Sequence, residues 1–327
     1  MTASSKSRTT IEKAKSAEGH AVVLINSKSG TVRSMGLDTV RQLLEVELAK
    51  WPQKVEFRIL EGKAIEAEVK GLIESGDVSS VIAGGGDGTI ASIAGQLAGT
   101  DIALGILPLG TMNLMAKSLE ISADLTEALA QLGNAEHRVI DVARVDGRVF
   151  LHHLSLGIQP RMVRVREKLG YSSRITKMLS SARAMLSVIL KPQSMRLKAE
   201  IDGRQVELKV PALVISNNRY ENSVWMKHSG LDEGLLGLYA VKPMSKVAFV
   251  KLALDMLRGR WRDNLNVLED SAQHVKLEKR RRLGGKSNAI LATLDGEVVL
   301  LSSPVDVRID PKVLTVLAPR GASAPAG

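Results

Sequence analysis

The sequence contains no cysteine. That excludes a disulfide framework, a thiolate nucleophile and a thiolate metal site, and it suits a reducing compartment. Aromatic residues are scarce as well, with three Phe, three Tyr and three Trp among 327 residues. Sheets that read RNA interleave basic and aromatic side chains, and so few aromatics do not build that pattern. No uncharged apolar run approaches the ~18 residues that a membrane-spanning helix needs. The N-terminal stretch is polar and basic without an apolar segment, so it does not read as a secretory signal.

What is present points elsewhere. Hydrophobic residues make up 44% of the chain, enough for a large, mostly aliphatic core. The length suits two domains. The net charge of +10 attracts polyanions: nucleotides, nucleic acid or an anionic lipid surface. Charge alone does not choose among them, and the missing aromatics argue against nucleic acid.

The first part of the chain alternates strands and helices. His20 to Ser27 is a short apolar run closing in small polar residues. Leu37 to Lys50 is helical, Val55 to Leu60 extended, Ala64 to Ser75 helical and Val78 to Ala83 extended. Ile90 to Leu97 returns to helix, and Ile102 to Leu107 is a further strand. This alternation predicts a parallel sheet with helices on both faces. After Asp141 the texture changes to many short strands, with Asp146-Gly147, Asp202-Gly203 and Asp295-Gly296 as hairpin turns. The fold class expected is α/β: a parallel-sheet nucleotide-binding domain plus a β-rich, sandwich-like second domain. Residues 1–18 and 320–327 read as tails, 19–142 as the first domain and 143–310 as the second, with a C-terminal strand at about 311–319 returning to the first. Two helical insertions, Ser173 to Leu190 and Lys246 to Arg262, are expected to cover the β-rich domain, with a membrane contact as the alternative for each. In the second, Val250, Leu254, Leu257 and Trp261 are read as its apolar stripe, among five basic residues.

The strongest local signal is Gly84-Gly85-Gly86-Asp87-Gly88-Thr89, directly between a strand and a helix. Glycines let backbone N–H groups approach phosphate oxygens, and the helix start adds partial positive charge. Thr89 can cap that helix or donate to a phosphate. Asp87 beside a phosphate is repulsive unless a cation lies between, so it implies Mg²⁺ nearby or a structural hydrogen-bonding role. The loop is neither a Walker A loop nor a Rossmann fingerprint.

Three further segments accompany it: Asn26-Ser-Lys-Ser-Gly30, Leu107-Pro-Leu-Gly-Thr-Met-Asn113 and Leu294-Asp295-Gly296-Glu297. In this order, the four motifs resemble those of the diacylglycerol kinase catalytic-domain family, the bacterial diacylglycerol- and sphingosine-kinase-like lipid kinases. The resemblance implies ATP-dependent phosphoryl transfer to a lipid hydroxyl such as that of diacylglycerol or a sphingoid base, with ATP and Mg²⁺ as cofactors. It assigns nucleotide binding to Asn26, Gly84, Gly85, Gly86, Asp87, Gly88, Thr89, Thr111 and Asn113, and chemistry to Glu297, Asp295 and Asp87. Glu297 or Asp295 would take the acceptor proton. A metal segment is implied at Gly230 to Leu235, with Glu233 and Asp232 as carboxylates and Gly230 and Leu235 as backbone carbonyl donors.

The departures from the family pattern are Leu114 after Asn113, Ala91-Ser92 after the glycine loop, Ser27 in the first loop, Leu60 to Ala64 after the second strand, and Glu233 where Asp is usual. Those at Leu114, Ala91-Ser92 and Glu233 keep open a non-catalytic nucleotide-binding regulator; a kinase of a soluble acceptor in the manner of NAD kinase is the other reading, against which Pro108 to Asn113 favours a lipid kinase. The expected partner is a lipid substrate at the membrane surface, with no nucleic acid, and a homodimer is compatible with the sequence. The expected place is the cytoplasm, with peripheral contact at the inner membrane face. Of the adjacent His152 and His153, strand alternation places one ring in the core and the other opposite. His228 reads as a surface histidine, and Glu278 to Arg282 as a solvated basic loop.

Overall fold

A computed structural model describes residues 20–168, 193–224, 226–280 and 288–321. The expected helix at Ser173 to Leu190 and both expected tails lie outside these residues, apart from residues 320 and 321.

Four strands, β1 (His20–Asn26), β2 (Val55–Leu60), β3 (Val78–Gly85) and β4 (Ala103–Pro108), form a parallel sheet in the order β2-β1-β3-β4. β1 explains its own position: Ala21 to Ile25 are all buried, as a central parallel strand covered on both faces requires. Helices α1 (Gly30–Met35), α2 (Leu37–Leu48), α3 (Gly62–Ser75) and α4 (Asp87–Leu97) connect the strands and bury Val40, Leu44, Ile65, Val69, Ile93 and Leu97 against them. Two short helices follow β4, α5 (Leu114–Ser118) and α6 (Leu125–Gly133). α6 is capped by Asp124, whose carboxylate accepts from Glu127 N at 2.9 Å.

The remaining strands pair antiparallel with one another. β5 (Glu136–Val145) and β6 (Arg148–Phe150) form a hairpin on the first sheet. β7 (His153–Gly157), β10 (Ala212–Asn217), β11 (Leu236–Val241), β12 (Val267–Ala272), β14 (Ala289–Leu294) and β15 (Glu297–Ser302) make a six-stranded second sheet. β8 (Met195–Ile201), β9 (Arg204–Val210) and β13 (His274–Lys279) extend the first sheet to ten strands. β13 takes up Glu278 and Lys279 from the segment expected to be a basic loop. α7 (Ile158–Lys168) follows β7, and α8 (Lys246–Leu257) follows β11, succeeded by a 3₁₀ turn at Trp261–Asp263. The two aliphatic cores lie under the parallel sheet and between the two sheets of the β-rich half. The α/β-plus-β class expected from the sequence is therefore the architecture observed.

β16 (Val305–Ala318) joins the halves. Its first residues pair with β13, Val316 pairs parallel with Leu104 of β4, and β5 lies antiparallel along nearly its whole length. The register with β5 breaks between Asp310 and Leu314, where Lys312 is left-handed, with φ 53°. That bulge turns the Lys312 N–H out of the ladder and onto the fully buried Asp141 carboxylate at 2.8 Å.

Candidate active site

The nucleotide-binding residues expected from the sequence occupy loops at the carboxyl ends of β1, β3 and β4, where parallel α/β sheets place their ligands. The three loops are tied together. Asn26 Nδ2 donates to Thr89 Oγ1 at 3.1 Å, joining the first loop to the glycine loop. Thr31 N donates to Leu109 O, also at 3.1 Å, and joins the first loop to the third. The glycine loop and the third loop touch through backbone: a Cβ on Gly110 would lie 2.6 Å from Gly86 Cα. Thr111 is exposed beside Gly30. Asn113 adopts the left-handed conformation, with φ 51°. Its side chain folds back to accept from Gly110 N at 2.8 Å and to donate to the Pro108 and Gly110 carbonyls. The Asn113 side chain thus shapes the loop.

Asp87 has the structural role that the sequence left open beside metal binding. Its two oxygens accept from Asn113 N at 3.0 Å and Leu114 N at 2.6 Å, capping α5 from a distant loop. Burial raises its pKa above the usual carboxylate value, and these amides oppose the shift.

The Asp295-Gly296-Glu297 turn, which joins β14 to β15, separates its two acids. Asp295 is buried and left-handed, with φ 47°. Its carboxylate accepts from three backbone amides: Leu151 at 2.8 Å, His152 at 2.9 Å and His153 at 2.9 Å. Burial pushes its pKa up to about 6, against the pull of those three amides. Glu297, by contrast, is exposed and reaches the glycine loop: a Cβ on Gly88 would collide with Glu297 Oε1. Two cavities meet at this carboxylate. One, of about 440 Å³, runs between α4, the β5–β6 hairpin with Arg144 and Arg148, and the β14–β15 turn. The other, of about 210 Å³, lies between α3 and α4 and also borders Gly88, Thr89 and Glu297.

Gly88→Ala is expected to separate activity from stability. The added methyl group meets the movable end of a side chain, so the fold survives, and alanine favours the helix by up to about 1 kcal/mol. The Glu297 carboxylate loses its seat, so turnover is expected to fall about tenfold to a hundredfold while the melting temperature holds or rises. A lower melting temperature with unchanged turnover would show that this contact does no chemical work.

The Gly230 to Leu235 segment has different partners. Glu233 accepts from Arg219 Nε at 2.7 Å and from Ser229 Oγ at 2.8 Å. Asp232 Oδ2 lies 3.9 Å from Lys312 Nζ. Glu233 N donates to Asn218 Oδ1, and Gly234 N donates to Asp141 Oδ2 at 2.6 Å. A divalent cation demands a tight oxygen cage, and here a guanidinium already occupies the Glu233 carboxylate. As arranged, these residues do not fit the ion. Among the described residues no group of three or more His, Asp or Glu is placed to hold a metal.

Sequence reasoning missed Asp141, which anchors this segment and the β16 bulge together. The available signal was an acid inside the apolar strand Val139-Ile-Asp-Val-Ala143. It also misplaced the histidines. His152 and His153 are both buried, with their Nδ1 atoms 2.8 Å apart, because regular strand geometry begins only at His153. His228 is buried too, stacked on Tyr220. Burial holds His152 well below the usual imidazole value, His153 at about 4 and His228 at about 3.

These values predict acid lability. Above pH 6.5 the three rings are neutral whether folded or unfolded, and their contribution to stability is complete. Below it the unfolded chain binds protons that the fold excludes, so stability is lost as pH falls through about 4 for His153 and about 3 for His228. Asp295 has the opposite sign, gaining stability as pH falls from about 6 to 3.8, and the raised Asp87 carboxyl shares that sign, so two groups oppose three. Unfolding at pH 5 is expected to take up a net of about one to two protons, a slope of about 1–3 kcal/mol per pH unit in urea titrations. A flat profile between pH 7 and 5 would contradict neutral buried rings.

Comparison with known proteins bears on the same loops. Residues 20–145 match the family described as diacylglycerol kinase catalytic domain. Residues 154–318 match the YegS C-terminal NAD kinase beta sandwich-like domain. The chain thus joins a domain of the diacylglycerol kinase catalytic family to one of the YegS C-terminal family, the second spanning half of its length. A diacylglycerol kinase of Bacillus subtilis is 25% identical over 291 residues, covering 85% of this chain and 89% of that protein. An uncharacterized protein of Synechocystis is 25% identical over 326 residues, covering 93% of this chain and 71% of that protein. A crystal structure of a diacylglycerol kinase from Bacillus anthracis shares the fold with a TM-score of 0.65 at 18% identity, covering 94% of this chain and 98% of that one. Membership in this kinase family implies a phosphotransferase that uses ATP. Among the described residues no helix is long and apolar enough to cross a membrane.

Proposed function

We propose that this chain transfers the γ-phosphate of ATP to the hydroxyl of a lipid such as diacylglycerol or a sphingoid base. One observation carries the reading: an exposed carboxylate, Glu297, rests on Gly88 of the phosphate-type loop where two cavities meet. Phosphoryl transfer asks the protein for positioning and charge stabilisation more than for covalent chemistry. The glycine loop and the N-terminal end of α4 offer backbone N–H groups to the phosphates. Asp87 and Asn113 keep the loops in register. Glu297 accepts the proton of the attacking hydroxyl, and Arg148 lines the larger cavity on the acceptor side. Mg²⁺ carried in with the nucleotide would supply neutralisation of phosphate charge, with Glu297 as the nearby exposed carboxylate, since both Asp87 oxygens are held by the Asn113 and Leu114 amides.

The test is transfer of labelled γ-phosphate from ATP and Mg²⁺ to a lipid extract in mixed micelles. A labelled lipid is expected, and chromatography of the product names the acceptor. Label on a soluble acceptor instead, or nucleotide binding with no transfer at all, would sink the lipid-kinase reading.

A further inference from the structure

We infer that the outer face of α8 is a docking surface for an anionic lipid bilayer. The helix is well started, with the Ser245 hydroxyl accepting from Ala248 N at 3.3 Å. Of its residues only Leu252 is buried, against a cluster with Trp261, Tyr239 and Tyr220. The stripe read from the sequence is thus divided: Trp261 points into this cluster, while Val250, Leu254 and Leu257 face solvent. With Val247 they lie at i, i+3, i+7 and i+10, within about 80° of arc and opposite Leu252. Val247 is 80% exposed and Leu257 72%. Leu265, 88% exposed, follows Asn264, whose amide donates to Asp255 of α8 at 2.7 Å.

The flanks decide the occupant. Lys246 borders the stripe on one side and Lys251 and Arg258 on the other, all exposed. A second copy packed symmetrically on this face would set these basic rims against each other. An anionic bilayer supplies the opposite charge to both rims at once and takes aliphatic side chains into its headgroup–acyl boundary. Each basic residue near such a surface favours partitioning by about fivefold. The inner side of α8 rests on Tyr220, whose hydroxyl meets His152 and His153, and the amides of those two residues hold Asp295. A chain of contacts therefore runs from the docking helix through Tyr220 and the two histidines to Asp295 of the β14–β15 turn. This inference deepens the lipid-kinase reading by naming how the chain reaches its substrate.

The test is co-sedimentation of the full chain with phosphatidylcholine vesicles with and without phosphatidylglycerol, in the absence of ATP and of any acceptor lipid. Binding is expected only with phosphatidylglycerol, weakening steeply with salt. The double variant Val247→Glu with Leu257→Glu is expected to lower partitioning about a hundredfold, and Lys246→Glu with Lys251→Glu about tenfold or more. Both pairs are exposed, so the melting temperature and the mass by light scattering should match wild type. Unchanged binding in the apolar variant, or no binding to phosphatidylglycerol vesicles, overturns the inference. A variant mass half that of wild type also overturns it, by giving the face to a second copy. Because no turnover is read, vesicle binding without phosphate transfer would sink the kinase reading and leave this one standing.

Discussion

Replacing Glu297 by Gln is expected to lower turnover by about 10²–10⁴, the range that a positioned general base contributes. ATP binding should be nearly unchanged, because the loops after β1, β3 and β4 are held by Asn26, Asp87 and Asn113. Stability should move by no more than about 0.5 kcal/mol, since the side chain is exposed. The decisive readout is a fall in kcat without a matching rise in KM for ATP. If Glu297→Gln turns over like wild type, another group takes the proton.

Asp295→Ala is expected to damage the fold rather than the chemistry. It would leave three buried backbone N–H groups, those of Leu151, His152 and His153, without their acceptor. At about 1–3 kcal/mol for each orphaned donor, the loss is about 3–6 kcal/mol or more. Holding alanine at φ 47° adds about 1 kcal/mol. Against a total stability of about 5–15 kcal/mol, such a variant is marginal. Asp295→Asn keeps one acceptor oxygen and tolerates the left-handed backbone, so its loss of unfolding free energy should be smaller. Denaturant titration of the three proteins orders them. An Asp295→Asn protein that folds as well as wild type yet loses transfer as fully as Glu297→Gln would make Asp295 the base instead.

These two acids show where sequence reasoning stops. The loops at Gly84 to Thr89 and Leu107 to Asn113 were legible because their signal is local: glycines at a strand end, then a helix start. The α/β-to-β change was legible because strand and helix periodicities are local too. The division of labour between Asp295 and Glu297 was not. It depends on amides more than 140 residues away for one and on Gly88 for the other. Asp87 is similar, since its partners begin 26 residues downstream. At Glu233 the sequence suggested a metal carboxylate, but the partner that claims it is a guanidinium brought back from Arg219 by the strand pairing. Buried histidines are equally opaque to local pattern. Polar residues read as surface until three of them share one pocket with Tyr220.

β16 has a consequence for the order in which the protein can be made. The nucleotide-binding sheet is built mostly from residues before 108, yet its β4 edge is completed by a strand ending at Ala318. A nascent chain leaving the ribosome therefore carries that edge open through the synthesis of some 200 further residues. Leu104 and Ile106, buried in the finished protein, await Leu314 and Val316 for that long. Such late, long-range pairing is slow and exposes an apolar edge to other chains. This late-made strand thus sets when the earlier-made sheet becomes safe from aggregation.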